Sequence, residues 1–220
     1  MNPFIHKLAP LSFLISILMI TLSSCNSDDD LQLASVSDEY TAQTKETLTG
    51  NVVLSTRTFI GDVDMTRLET GCPTKFSFTW QGDEVEIRLI DFHVANMPFI
   101  INFQSKARLY ALNSWEQKEY KGSGWVKIYG TDGLSKTADR ESKPLDQKQG
   151  AIIKGYYNVL THEINMNINF NMMNVYSDCF LQKVDKHRID RYDEEVKQYQ
   201  ADLVAYKKQK GELYSWSAQR

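Results

Sequence analysis

The residues of this sequence that could act as catalysts or metal ligands are few and far apart. The histidines beyond the amino-terminal segment are His93, His162 and His187, and no two have the spacing of a paired-histidine metal site. Asp91 and His93 would share one face of a strand, which allows either a carboxylate–histidine pair or a structural hydrogen bond. The sequence contains no phosphate-binding glycine–lysine loop, dinucleotide fingerprint or serine nucleophile elbow. We therefore predict a protein that is not an enzyme and needs no metal or cofactor.

One of the three cysteines, Cys25, has the neighbours that lipid modification requires. Leu11–Leu22 is a mostly apolar run, shorter than the roughly 20 residues of a membrane-spanning helix. Such a run is typical of the core of a signal peptide. Small residues, Ser23 and Ser24, then precede the cysteine, as the binding pocket of a signal peptidase prefers.

The segment around this cysteine resembles bacterial lipoproteins. Leu22-Ser23-Ser24-Cys25 is similar to a lipobox, in which the cysteine becomes the first mature residue and carries the lipid. Asn26-Ser27-Asp28-Asp29-Asp30 resembles the surface-export signal of lipoproteins from Bacteroides and its relatives. A solvated acidic linker is the alternative interpretation of this run. The resemblance implies a signal peptide over residues 1–24, fatty-acyl chains such as palmitate on Cys25, and a protein anchored in the outer membrane at the cell surface.

The other two cysteines, Cys72 and Cys179, are candidates for a disulfide. A lipoprotein of the cell envelope lies in an oxidising compartment, where paired thiols tend to close. Cys72 lies directly before one predicted strand and Cys179 directly after another, so both flank strand ends. We predict that they are bridged, with two buried free thiols as the alternative.

Aromatic residues in a polar stretch are the candidates for a ligand-binding surface. Trp115, Tyr120 and Trp125 lie within the segment NSWEQKEYKGSGW. Exposed aromatic rings on loops could stack on sugar rings. The alternative is that Trp125 is a core residue of a strand and Trp115 covers an edge.

Composition limits both the fold and the partners. Of the 220 residues, 42% are hydrophobic and 24% are charged, which is typical of a globular protein and excludes a disordered chain. The formal net charge is −3, so the chain has no basic excess with which to neutralise phosphate groups. We therefore expect no nucleic-acid partner.

Alternating apolar and polar residues predict strands over most of the body. Residues 76–80 and 85–89 alternate on either side of Gln81-Gly82-Asp83, which predicts a tight hairpin. The phase changes after Leu89, which indicates a β-bulge near residues 89–91.

Later segments differ in how regular their alternation is. Within 163–176, apolar residues alternate with Asn165, Asn167, Asn169 and Asn171, so this asparagine row would face water or a cavity. Residues 130–149 have many charges and no period, which predicts a long loop.

The apolar spacing changes to that of a helix after Val184. Its repeat of three and four residues is carried by Ile189, Tyr192, Val196, Tyr199, Leu203 and Tyr206. This spacing predicts a helix of about residues 186–210 whose apolar seam packs on the strands or pairs with a second helix.

Together these patterns predict a mainly β protein with one domain over residues 47–183. It would be a single antiparallel β-barrel or β-sandwich, followed by one long C-terminal α-helix within 184–214 and a tail over 215–220. Residues 25–46 are predicted to be the lipidated cysteine and a flexible tether. The likeness to calycin-like or sandwich domains concerns the fold alone and implies no functional residue.

We expect a non-catalytic surface lipoprotein, held at the membrane by lipid on Cys25. It would bind a glycan, a small apolar ligand or a partner protein, in a barrel pocket or on loop aromatics. The alternative is a structural or accessory subunit of an outer-membrane assembly or adhesin.

Overall fold

The computed structural model describes residues 34–94 and 97–211. The strands in this part of the chain are β1 Gly50–Ile60, β2 Val63–Asp64, β3 Cys72–Gln81, β4 Glu84–Phe92, β5 Ile100–Tyr110, β6 Trp125–Ala138, β7 Pro144–Asn158, β8 Glu163–Asn169 and β9 Val175–Lys183. The helices are α1 Asp38–Thr47, the one-turn α2 Glu116–Glu119, and a 3₁₀ helix Lys186–Arg191 that continues into α3 Tyr192–Gln209.

The strands form a closed antiparallel barrel. From β3 to β9, each strand pairs with the next along the chain, and β1 pairs with β3. β1 also pairs with β9, from Arg57 opposite Asp178 to Ile60 opposite Val175, and this second pairing closes eight strands into a ring. The two-residue β2 extends the end of β1. The mainly β fold with a C-terminal helix is therefore confirmed, and of the two predicted architectures the chain adopts the barrel.

The interior of the barrel is filled by side chains. Phe103 and Phe170 meet edge to face with ring centroids 5.6 Å apart, and Phe92 stacks on Phe170 at 6.1 Å. An eight-stranded barrel is just wide enough either to be filled by its own side chains or to hold one small ligand. Here large residues fill it, and those with almost no exposed surface include Leu54, Phe76, Phe78, Ile87, Leu89, Ile101, Phe103, Ile128, Tyr157 and Phe170.

Helix α1 covers one end of the barrel, where the sequence predicted a flexible tether. The Ser37 hydroxyl accepts a hydrogen bond from the Tyr40 N–H and caps the helix. Thr47 and Leu48 are buried, and the indole of Trp80 donates to the Leu48 carbonyl oxygen at 2.6 Å. The predicted tether is therefore wrong for residues 38–46, where the helix buries threonines such as Thr44 rather than a row of apolar residues. Cys25 and the preceding signal segment lie outside the described residues.

Helix α3 packs on the outside of β3, as the apolar seam predicts. Tyr199 and Leu203 are buried, and the Tyr199 hydroxyl donates to the Thr66 carbonyl oxygen at 2.9 Å. The Lys75 ammonium lies 5.2 Å from the centre of the Tyr192 ring. The seam is therefore an intramolecular contact surface.

The structure confirms the predicted β-bulge but not the predicted long loop. The pairing of β4 with β5 shifts between Leu89 and Phe92, which confirms the predicted bulge. The predicted loop over 130–149 is wrong, because β6 and β7 continue through it as a long hairpin. On the β7 side of this hairpin, Pro144–Gln149 are all exposed, so the apolar alternation that marks a strand is absent there.

Candidate functional site

Within the described residues, the histidines do not form a catalytic or metal-binding cluster. His93 Nδ1 lies 3.1 Å from the backbone oxygen of Asp91, so the contact is not the carboxylate–histidine pair that the spacing allowed. His162 Nδ1 lies 2.8 Å from the Tyr157 hydroxyl, at another place on the barrel. Across residues 34–94 and 97–211, no group of three or more His, Cys, Asp or Glu side chains could hold a metal ion.

The structure brings together two of the three predicted ligand-binding aromatics. Tyr120 stacks on Tyr156 with ring centroids 4.1 Å apart and lies 4.9 Å from the ring of Trp125. Tyr120 is buried by these contacts, so its ring face is not free to stack on a ligand. Trp115 is 67% exposed and outside this cluster, with the Lys118 ammonium 3.8 Å above its ring. The three residues thus do not form one binding platform.

Beneath these aromatics lies a buried ionic cluster that the sequence analysis missed. Glu116 Oε1 accepts hydrogen bonds from Lys127 Nζ and the Tyr156 hydroxyl, each at 2.8 Å. The side chains of Glu116 and Lys127 are each only 9% exposed. Asn113 and Glu116 also form a reciprocal capping pair, in which each backbone N–H donates to the other side chain. That Asn-x-x-Glu spacing is the sequence signal that could have found the cluster.

The contacts in the cluster shift the pKa values of Glu116 and Tyr156 in opposite directions. Burial alone would raise the pKa of the Glu116 carboxyl, but the hydrogen bonds from Lys127 and Tyr156 outweigh burial and lower the pKa below its ordinary value. Burial and the same carboxylate raise the pKa of Tyr156. These shifts favour the ionised Glu116 carboxylate and the neutral Tyr156 hydroxyl, and the cluster holds α2 against β6 and β7. We assign it a structural role.

The predicted disulfide between Cys72 and Cys179 is wrong. Both thiols are free and buried. Cys72 pairs with Thr56 on one side of β1, and Asp178 pairs with Arg57 on the other, so β1 lies between the two cysteines. Two strand spacings separate their Cα atoms by about 9 Å, whereas a disulfide requires less than about 7 Å.

Burial also makes these thiols unreactive. It raises the pKa of Cys72 to about 12, although a side-chain hydrogen bond with Tyr199 opposes the rise. Burial raises the pKa of Cys179 well above its ordinary value, and the charge of Asp178 adds to the effect. Since the thiolate is the nucleophile, neither cysteine is a candidate catalytic residue.

The asparagine row lies on the outer face of the barrel. In β8, Ile164, Met166 and Ile168 are buried, and the asparagines that alternate with them, Asn165, Asn167 and Asn169, are on the opposite face. Pairing extends this row sideways, with Asn169 opposite Tyr176 of β9, and Tyr176 opposite Phe59 of β1. The next level of the barrel places Asn167, Asp178 and Arg57 side by side.

An aromatic pair stands at the centre of this face. The rings of Phe59 and Tyr176 are stacked with centroids 4.9 Å apart and planes within 12°. The guanidinium of Arg57 lies 5.2 Å from the Phe59 ring and is held by Asp64 at 2.6 Å. Burial raises the pKa of Asp178, while the charge of Arg57 opposes the rise. The stacked rings of Phe59 and Tyr176 therefore have amide and carboxylate side chains beside them.

Two connections complete a pocket at this face. The N–H of Gly61, in the β1–β2 turn, donates to the carbonyl oxygen of Asn174, in the β8–β9 loop, at 2.9 Å. Asn171 and Asn174 adopt the left-handed conformation, which asparagine tolerates well. The open pocket has a volume of ≈ 520 Å³. Its polar and aromatic lining comprises Asp62, Asn167, Asn169, Asn171, Asn174 and Tyr176. We call these six residues together with Phe59 the amide–aromatic face.

The amide–aromatic face carries groups that can form hydrogen bonds with a polar ligand. Amide groups both donate and accept hydrogen bonds, and carboxylates accept them, so together they satisfy hydroxyl groups. The Tyr176 ring adds an apolar surface with a polar tip.

Comparison with known protein families identifies a match. The family model described as a domain of unknown function, DUF4903, matches residues 25–211. The chain belongs to the DUF4903 family.

The DUF4903 match includes every strand and helix described above and begins at Cys25. No curated protein and no solved structure matches the chain. Among the helices of this DUF4903 member within residues 34–94 and 97–211, none has the length and apolarity needed to cross a membrane.

Proposed function

We propose that this protein is a non-catalytic, lipid-anchored surface protein that binds a saccharide on its amide–aromatic face. The observation that carries the proposal is the contrast between the filled interior of the barrel and the open, polar pocket outside it. A small apolar ligand would need a cavity lined by apolar residues. The filled interior therefore favours a polar ligand at the outer pocket.

The lining of that pocket matches the two kinds of surface that a sugar ring presents. Hydroxyl groups need donors and acceptors, which Asn167, Asn169 and Asp62 offer. The C–H face of the ring needs a flat apolar surface, which Tyr176 offers. Stacking on Phe59 holds the Tyr176 ring in place and lowers the entropy lost when a ligand binds.

Lipid attachment to Cys25 is the second part of the proposal. The apolar run, the small residues before the cysteine and the start of the family match at residue 25 all support it. Metabolic labelling with a fatty acid should mark the wild-type chain and not the Cys25→Ala variant, which should also keep its signal peptide. Equal labelling of the two chains would contradict the anchor.

A glycan array probed with the full chain tests the saccharide proposal. We expect binding to oligosaccharides with several free hydroxyl groups, without a requirement for sulfate or phosphate, since the pocket lining contains no basic side chain. Absence of binding to every saccharide on a broad array would contradict the proposal.

A further inference from the structure

The outer part of the β6–β7 hairpin has a free strand edge that the proposed function does not use. β8 pairs with β7 only from Ile152 to Tyr157. Among the described residues, no strand therefore pairs with Pro144–Gln149 on the side away from β6. All of these residues are exposed. A closed barrel removes its edges, whereas this extension leaves one open to pairing.

Hydrogen bonds show which backbone groups lie on this edge. The carbonyl oxygen of Gln149 accepts from Asn171 Nδ2, in the β8–β9 loop, at 2.8 Å and so points away from β6. Backbone groups of alternate residues point the same way, so those of Gln147 and Leu145 also lie on the free edge. The Gln147 N–H donates to the carboxylate of Asp146 at 2.8 Å. The Asp146 side chain thus satisfies a backbone donor that another strand could bind instead.

We propose that this edge pairs with the same edge of a second copy of the chain. In a two-fold antiparallel pair centred on Gln147, the two Gln147 residues exchange N–H···O=C hydrogen bonds. Asp146 then lies opposite Lys148 of the second copy, and Lys148 lies opposite Asp146. These two positions do not exchange backbone hydrogen bonds, so their Cα atoms approach to about 4.5 Å. Opposite charges at this separation stabilise a strand pair.

The order of charges along the edge favours pairing with the same edge of a second copy over pairing with other strands. Any antiparallel partner must present Lys opposite Asp146 and Asp opposite Lys148, and the segment PLDQKQ meets this requirement when paired with itself. Proline and charged residues discourage pairing with strands that lack the complementary order. Only a short segment pairs, so the dimer should be weak and depend on protein concentration.

Reversal of the charges tests the proposed pairing. Sedimentation of the full chain in detergent should show a monomer–dimer equilibrium. The Asp146→Lys variant places lysines opposite each other, so its dimerisation should weaken by about tenfold or more. The double variant Asp146→Lys, Lys148→Asp restores opposite charges and should dimerise like the wild type. A wild-type chain that stays monomeric, or a single variant that dimerises equally well, would overturn the proposal.

Cysteine cross-linking tests the register independently. Opposed Gln147 residues would have Cα atoms about 5.5 Å apart, within the range of a disulfide. The Gln147→Cys variant should form a covalent dimer under mild oxidation, and adding Asp146→Lys should reduce its yield. Thr161→Cys, exposed on another part of the barrel, is the matched control. Equal cross-linking at positions 147 and 161 would contradict the register. Saccharide binding takes no part in these measurements, so their outcome is separate from that of the proposed function.

Discussion

At the residue scale, Glu116 is a buried carboxylate whose ionisation contributes to the stability of the protein. Hydrogen bonds from Lys127 and Tyr156 lower its pKa in the folded state. A carboxyl group with a lowered folded pKa stabilises the protein above its ordinary pKa of about 4.3. This contribution is lost as the pH falls through the folded value, because the folded and unfolded states then bind the proton equally.

We predict that Glu116→Gln lowers the free energy of unfolding at pH 7 by about 2–4 kcal/mol, because it leaves the buried Lys127 ammonium without its counter-charge. The difference between wild type and variant should shrink as the pH falls below about 4. Urea denaturation at a series of pH values measures both effects. Glu141→Gln, exposed in the β6–β7 turn, should change the stability by less than about 0.5 kcal/mol. A pH-independent difference for Glu116→Gln would contradict the ionic role.

At the element scale, the contact of helix α3 with the barrel depends on one buried face. We predict that Tyr199→Asp lowers the free energy of unfolding by about 2–4 kcal/mol, because a buried ring and the hydrogen bond to Thr66 are replaced by a carboxylate. Val204→Asp lies on the same helix at a residue that is 56% exposed and should have an effect below about 0.5 kcal/mol. Similar losses in the two variants, measured by chemical denaturation, would contradict the orientation of the helix.

The elements that the sequence predicted well are those with one buried and one exposed face. The alternation around Gln81-Gly82-Asp83 and the helical seam through Tyr199 follow directly from which residues are buried, so the sequence predicts both elements. Elements without that contrast were missed. Helix α1 buries the threonines Thr44 and Thr47, and residues Pro144–Gln149 of β7 are all exposed, so neither element has a periodic apolar face.

Contacts between distant residues were the least predictable part of the candidate site. The stacking of Phe59 on Tyr176 depends on the register of β1 with β9, which also closes the barrel. The same closure places β1 between Cys72 and Cys179 and prevents the disulfide. The sequence predicted an outward asparagine row from the alternation in β8, but it contains no local signal for the strands beside that row.

At the scale of the whole molecule, the filled barrel limits the proposed ligand binding to the loops and the outer surface. The amide–aromatic face lies at the end of the barrel where β1 and β8 finish, whereas α1 covers the opposite end. The free edge of β7 adds a place where two such barrels could join, which would present two binding faces from one assembly. Two linked sites bind a repeating ligand more tightly than one, since the second contact is intramolecular.

The most direct measurement of the central claim is the affinity of three variants for a saccharide that the wild-type chain binds on the array. Tyr176→Ala removes the ring from the amide–aromatic face and should weaken binding by at least about fivefold. Asp62→Ala removes an exposed pocket residue with little expected effect on folding and should also weaken it. Trp115→Ala removes an exposed aromatic side chain that lies outside the amide–aromatic face, so this variant should bind like the wild type. Loss of binding in Trp115→Ala, with Tyr176→Ala and Asp62→Ala unaffected and all variants folded, would contradict the account.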